Sequence, residues 1–137
     1  MTQITAAETG LVAVDWKQVG EQIVVCIGER DFDRLADRFD PQVSCRLLIP
    51  TGLVTPVDVS TLMSSFRKWF GDADHFNVES SQITQVGDRL HVGYRIRVRE
   101  DGLWYTVEQQ TYSHLEGDRI NRFDLLCSGF RLDQAEA

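Results

Sequence analysis

Arg122 and Asp124 stand two residues apart in an alternating segment near the end of the chain, so an extended backbone puts both side chains on one face. A carboxylate buried on such a face loses solvation, which raises its pKa and suits it to general acid or base work, with the guanidinium tuning it. Tyr94 adds a hydroxyl that can polarise a carbonyl or enolate oxygen, and Gln109 can share that task. Catalytic work is therefore assigned to Asp124, Arg122 and Tyr94. Ligand-lining positions are Gln109, Thr111, Phe66, Trp69, Cys45 and His75. The competing reading keeps Asp124 solvated, as carboxylates usually are, and Tyr94 as a core tyrosine whose hydroxyl meets a backbone group.

Other chemistries have little to stand on. His75, His91 and His114 share no ligand spacing, and Cys26, Cys45 and Cys127 form no C-x-x-C pair, so no metal site is expected. No glycine-rich loop links a strand to a helix and no G-x-S-x-G occurs, so neither a nucleotide cofactor nor a nucleophile elbow is expected.

The elements that must position these residues fall into two halves. Asp15 can cap a helix whose apolar positions Trp16, Val19, Ile23 and Ile27 keep helical spacing, with Gly28 as the stop. Phe32, Leu35, Ala36 and Phe39 predict a short second helix closed before Pro41. Val43, Cys45 and Leu47 alternate with Ser44, Arg46 and Leu48, which predicts a strand. After a loop with Pro50, Gly52 and Pro56, Asp58 or Ser60 caps a third helix. Val59, Leu62, Met63, Phe66, Trp69 and Phe70 lie on its one apolar face.

Beyond it, Gly87-Asp88, Asp101-Gly102 and Gly117-Asp118 are turn signals about fifteen residues apart, and they predict an antiparallel meander of four strands. The layout is α+β: three N-terminal helices on the concave face of a curved antiparallel sheet. It is read as one domain over residues 1–137, with a core of about 15–131 and loose ends.

The turns also fix register. Pairing Glu100 with Leu103 sets Val98 opposite Tyr105, Ile96 opposite Val107, Tyr94 opposite Gln109 and Val92 opposite Thr111 on the inner face. Arg99 then meets Trp104 as a cation–π pair, Arg97 meets Thr106 and Arg95 meets Glu108 on the outer face. Pairing Glu116 with Arg119 sets Thr111 opposite Asp124, which brings Arg122 and Asp124 inside with Tyr94. Tyr112, Phe123, Leu125 and Cys127 then form an outer apolar cluster suited to a second subunit. A three-residue turn at Gly117 would reverse the faces of that last strand.

Composition narrows the partners. Lys plus Arg number 14 against 21 for Asp plus Glu, a net charge of −7 that disfavours nucleic acid and anionic membrane surfaces. The apolar runs are far too short to span a bilayer, and the N-terminus lacks a basic, then apolar, leader. Unpaired cysteines point to a reducing compartment, the cytoplasm by default.

The helix–helix–strand–helix–meander order, the Phe39-Asp40-Pro41 end of the second helix, the capped aromatic third helix and the ending GDRINRFDLLCSGF resemble the nuclear transport factor 2-like superfamily. The resemblance is strongest to its SnoaL-like (polyketide-cyclase-like) branch, alongside the ketosteroid isomerases, and covers roughly residues 16–131. It implies a cone with a pocket between helices and sheet, often dimeric through the outer face. It also implies cofactor-free isomerases, cyclases and dehydratases, or binders without catalysis. The isomerases' catalytic Asp on the first strand is replaced here by Cys45 or Arg46, and the acid that epoxide hydrolases need is replaced by Arg95 and Arg97. Asp124 matches the late-sheet Asp of the cyclases. The function expected is a pocket for a small apolar, ring-containing molecule with proton-transfer chemistry; the alternative is a non-catalytic binding or dimerisation module.

Overall fold

A computed structural model describes residues 14–133; of the ends expected to be loose, 1–14 and 133–137, residues 1–13 and 134–137 lie outside the described residues, while Asp133 is held by hydrogen bonds from Arg97 and Thr106. Helix α1 (Trp16–Gly28) starts where Asp15 accepts the Gln18 N–H at 3.0 Å. Helix α2 (Phe32–Ala36) is capped by Asp31. It is shorter than the spacing predicts: Phe39 and Asp40 open strand β1 (Phe39–Ile49), because Pro41 cannot donate within a helix. Strand β2 (Gly52–Val54) arises from the Pro-Gly loop. Helix α3 (Val59–Phe70) is capped by Asp58, which accepts both the Thr61 N–H and the Thr61 hydroxyl. Its buried face carries Leu62, Met63, Phe66 and Phe70. Arg30, at the turn after α1, donates to the carbonyls of Phe70 and Ala73 and so ties that turn to the end of α3.

The second half is the expected meander: β3 (His75–Val86), β4 (Arg89–Glu100), β5 (Leu103–Glu116) and β6 (Arg119–Cys127), with a two-residue β7 (Arg131–Leu132) on β5. At the β4–β5 turn Asp101 and Gly102 both have positive φ, as a two-residue hairpin turn requires. The sheet order is β2-β1-β6-β5-β4-β3, and β1 runs parallel to β6, which makes the sheet mixed. Helix α1 covers β3 and β4 while α3 covers β1. The approach is closest at Gly20, where a Cβ would lie 2.6 Å from Ile83 Cγ2. The result is an α+β fold with three helices over a curved, unclosed sheet.

The β4–β5 register is the expected one at every pair from Glu100↔Leu103 to Val92↔Thr111. The cation–π contact on its outer face is made by Arg97, 4.7 Å from the Trp104 ring centre, and not by Arg99 directly opposite. The β5–β6 register departs from expectation. It begins as expected, with Glu116↔Arg119, but Leu115 pairs with Ile120 and His114 with Arg122, which leaves Asn121 as an extra residue. This β-bulge reverses the parity of everything after it. The Asn121 side chain fastens the bulge, donating to Glu116 Oε1 at 3.0 Å and meeting His114 Nδ1 at 2.8 Å. Phe123, Leu125 and Cys127, expected outside, therefore face the core and are buried. Arg122 and Asp124, expected inside, face outward.

Candidate functional sites on the two faces of the sheet

On the inner face, Tyr94, Gln109 and Cys127 form one cross-strand row over β4, β5 and β6. The Tyr94 hydroxyl donates to Gln109 Oε1 at 2.6 Å, and Gln109 Nε2 donates to Cys127 Sγ at 3.3 Å. One step along, Thr111 donates its hydroxyl to the Val92 carbonyl. Gln109 and Thr111 are 0% exposed, so no water-sized space reaches them. Cys45 also faces inward, buried opposite Phe123. Around this row the helices and adjoining segments bring the protein's own rings together. Phe66 packs on Phe32, Trp69 and Phe70, while Phe70 touches Phe76 and Phe130, and Phe130 meets Tyr105.

The titratable groups of this wall are held neutral. Burial, with the Cys127 sulfur adding to it, pushes the Tyr94 phenol well above its usual value. Desolvation, then the negative charges of Asp124 and Asp58, pushes the Cys45 thiol up to about 12. In the row around Tyr94 the inward positions offer hydrogen-bond donors and acceptors but, among the described residues, no carboxylate or imidazole. The acid of inward parity is Glu100 at the end of β4, part-buried, its pKa raised by desolvation and then by the nearby acids Asp101, Asp72 and Asp74.

On the outer face, Asp124 accepts from Arg46 Nε at 2.7 Å, with Arg122 Nε farther off at 3.9 Å. The parallel β1–β6 register sets Arg46 directly beside Asp124. Around this pair lie Leu48, Leu53, Tyr112 and Leu126, exposed by 49%, 61%, 39% and 51%. They enclose an open, apolar-walled hollow of about 280 Å³ with Arg46 and Asp124 on its wall. His91, also on this face, stacks on Tyr112 with ring centres 4.9 Å apart. Its two nitrogens meet Thr84 Oγ1 and Gln110 Oε1. His75, expected to line a ligand, instead stacks on Trp104 at the far end of the outer face, with ring centres 5.6 Å apart.

The inner grouping of Tyr94, Gln109 and Thr111 thus matches the expected placement, with Phe66 and Trp69 on the helix above. Asp124 and Arg122 do not join it. The outer grouping of Arg46, Leu48, Leu53 and Leu126 escaped the sequence reading because it depends on a long-range parallel pairing. The alternation along Ser44–Leu48 was the one signal that these side chains share a face.

No protein-family model and no curated sequence matches the chain. The fold is shared with many solved structures. IdmH of Streptomyces antibioticus, a proposed polyketide cyclase, superposes with a TM-score of 0.65 at 15% identity over 82% of this chain and 91% of that one. A protein of Catenulispora acidiphila with a ketosteroid isomerase-like fold, solved with trimethylamine, gives 0.66 at 12% identity over 81% and 85%. A proposed polyketide cyclase of Xanthomonas campestris gives 0.66 at 11% identity over 81% and 88%. The chain has the nuclear transport factor 2-like fold.

Proposed function

We propose that this chain is a non-catalytic assembly and binding module that pairs with a second copy of itself through the outer face of its sheet. The observation that carries the reading is the patch of Leu48, Leu53, Tyr112 and Leu126 around the Arg46–Asp124 pair. A contiguous exposed apolar patch of this kind is characteristic of an interface. A two-fold contact of this patch with itself is self-complementary: leucines meet leucines, and each copy brings one acid and one base to the seam. The outward Asp124 carries the non-catalytic half of the reading, since a part-buried acid paired with Arg46 on the convex face cannot act on a molecule enclosed beneath the helices. Size-exclusion chromatography with light scattering tests the pairing. A dimer is expected at micromolar concentration, and a Leu126→Asp chain is expected to run as a monomer while still melting cooperatively. A monomeric wild type would overturn the reading.

A second reading rests on the row Tyr94–Gln109–Cys127. Neutral hydrogen-bonding groups set among rings suit a small apolar, ring-containing molecule with one polar substituent, and solved proteins of this fold include proposed polyketide cyclases. Phe66, Trp69, Thr111 and Cys45 would line its seat after rearrangement of the aromatic cluster. Naphthol is then expected to raise the melting temperature of the wild type and to act less on Tyr94→Phe. No shift in the wild type would leave the interior as core alone.

A further inference from the structure

The two edges of the sheet are built differently. On one side β2 is three residues long, and the part of β1 beyond it carries Asp40, Pro41 and Arg46. Short strands, prolines and charges are the devices that stop an edge from recruiting another strand. On the other side β3 is twelve residues long and, among the described residues, pairs only with β4. Its first part is guarded by the bulge at Glu79. Residues 80–86, Ser-Ser-Gln-Ile-Thr-Gln-Val, have no charge, proline or glycine, and all but Ile83 are exposed. The stretch is bounded by the bulge at one end and the Gly87-Asp88 turn at the other.

We propose that residues 80–86 are a second docking edge, taken by the same edge of another copy in antiparallel pairing about Ile83. Antiparallel pairing of an edge with itself is two-fold symmetric, so one strand supplies both halves of the contact. Centring on Ile83 uses the whole unguarded stretch: Gln82 faces Thr84, Ser81 faces Gln85 and Ser80 faces Val86. In a chain of net charge −7, this contact brings no two acids opposite each other. Ile83 is already held from within by Gly20 of α1, so the strand is presented rigidly. Seven paired residues bury less than a stable interface usually requires, so the contact is weak alone and adds to pairing through the outer face.

The test uses Leu126→Asp, which removes the outer-face contact, and follows its mass by sedimentation from ten to several hundred micromolar. A monomer–dimer titration is expected, with Gln82→Lys in the same background at least tenfold weaker. A Gln82→Cys, Thr84→Cys chain is expected to form intermolecular disulfides under mild oxidation, since the three native thiols are buried. Hydrogen exchange supplies a check that needs no variant: amide protection at 80–86 should rise with protein concentration. Leu126→Asp staying monomeric throughout would overturn the proposal, as would a mass unmoved by Gln82→Lys. Protection of 80–86 that is independent of concentration would also overturn it, because the edge would then be covered within one copy.

Discussion

At the scale of single residues, the chemistry of this protein is decided by which side of a strand each polar group occupies. Tyr94 and Cys45 are buried acids with no cation beside them, so the fold holds both protonated. Their effect on stability has a definite sign. A group whose folded pKa lies above its unfolded value favours the folded state fully below the unfolded pKa, and that advantage fades as pH rises. For Cys45 the loss runs from pH 9 toward about 12. For Tyr94 it begins above pH 10. The melting temperature is therefore expected to be flat from neutral pH to about 9 and to fall beyond it. Cys45→Ala should lessen the earlier part of that fall. A melting temperature unchanged up to pH 11 would contradict the burial assigned to these groups.

At the scale of elements, one inserted residue outweighs several good local signals. Without Asn121, the alternation Phe123, Leu125, Cys127 would point outward and Asp124 would point in. With it, three apolar side chains fill the core and the acid finds Arg46. Deleting Asn121 is expected to destabilise the fold by more than about 3 kcal/mol, because restoring the core would then require the strand to slip against both neighbours. Denaturant unfolding measures this, and a deletion mutant of near wild-type stability would show that the bulge does not set the face. The same bulge explains what the sequence could and could not disclose. The helix caps at Asp15 and Asp58 and the β4–β5 register were legible because each depends on neighbours a few residues away. The bulge was not, because Asn121 is an ordinary strand-end residue until its side chain meets Glu116 and His114. The Arg46–Asp124 contact spans 78 positions and depends on a parallel pairing that no local pattern encodes.

At the scale of the whole molecule, the sheet separates two jobs. Its concave side is covered by the helices, whose aromatic rings pack on one another, whereas its convex side keeps an apolar patch around the Arg46–Asp124 pair. Folding accounts for the first surface. It leaves the second unexplained, because Leu48, Leu53 and Leu126 gain nothing from facing water. In the proposed pairing a second copy supplies the missing burial, and at the centre of such a patch one charged substitution is expected to weaken pairing by a hundredfold or more.

Equilibrium sedimentation of the wild type and Leu126→Asp at ten micromolar tests this most directly. The expected result is the mass of two chains for the first and of one chain for the second. A wild type that sediments as a single chain, or a Leu126→Asp variant that keeps the mass of two, would contradict the account.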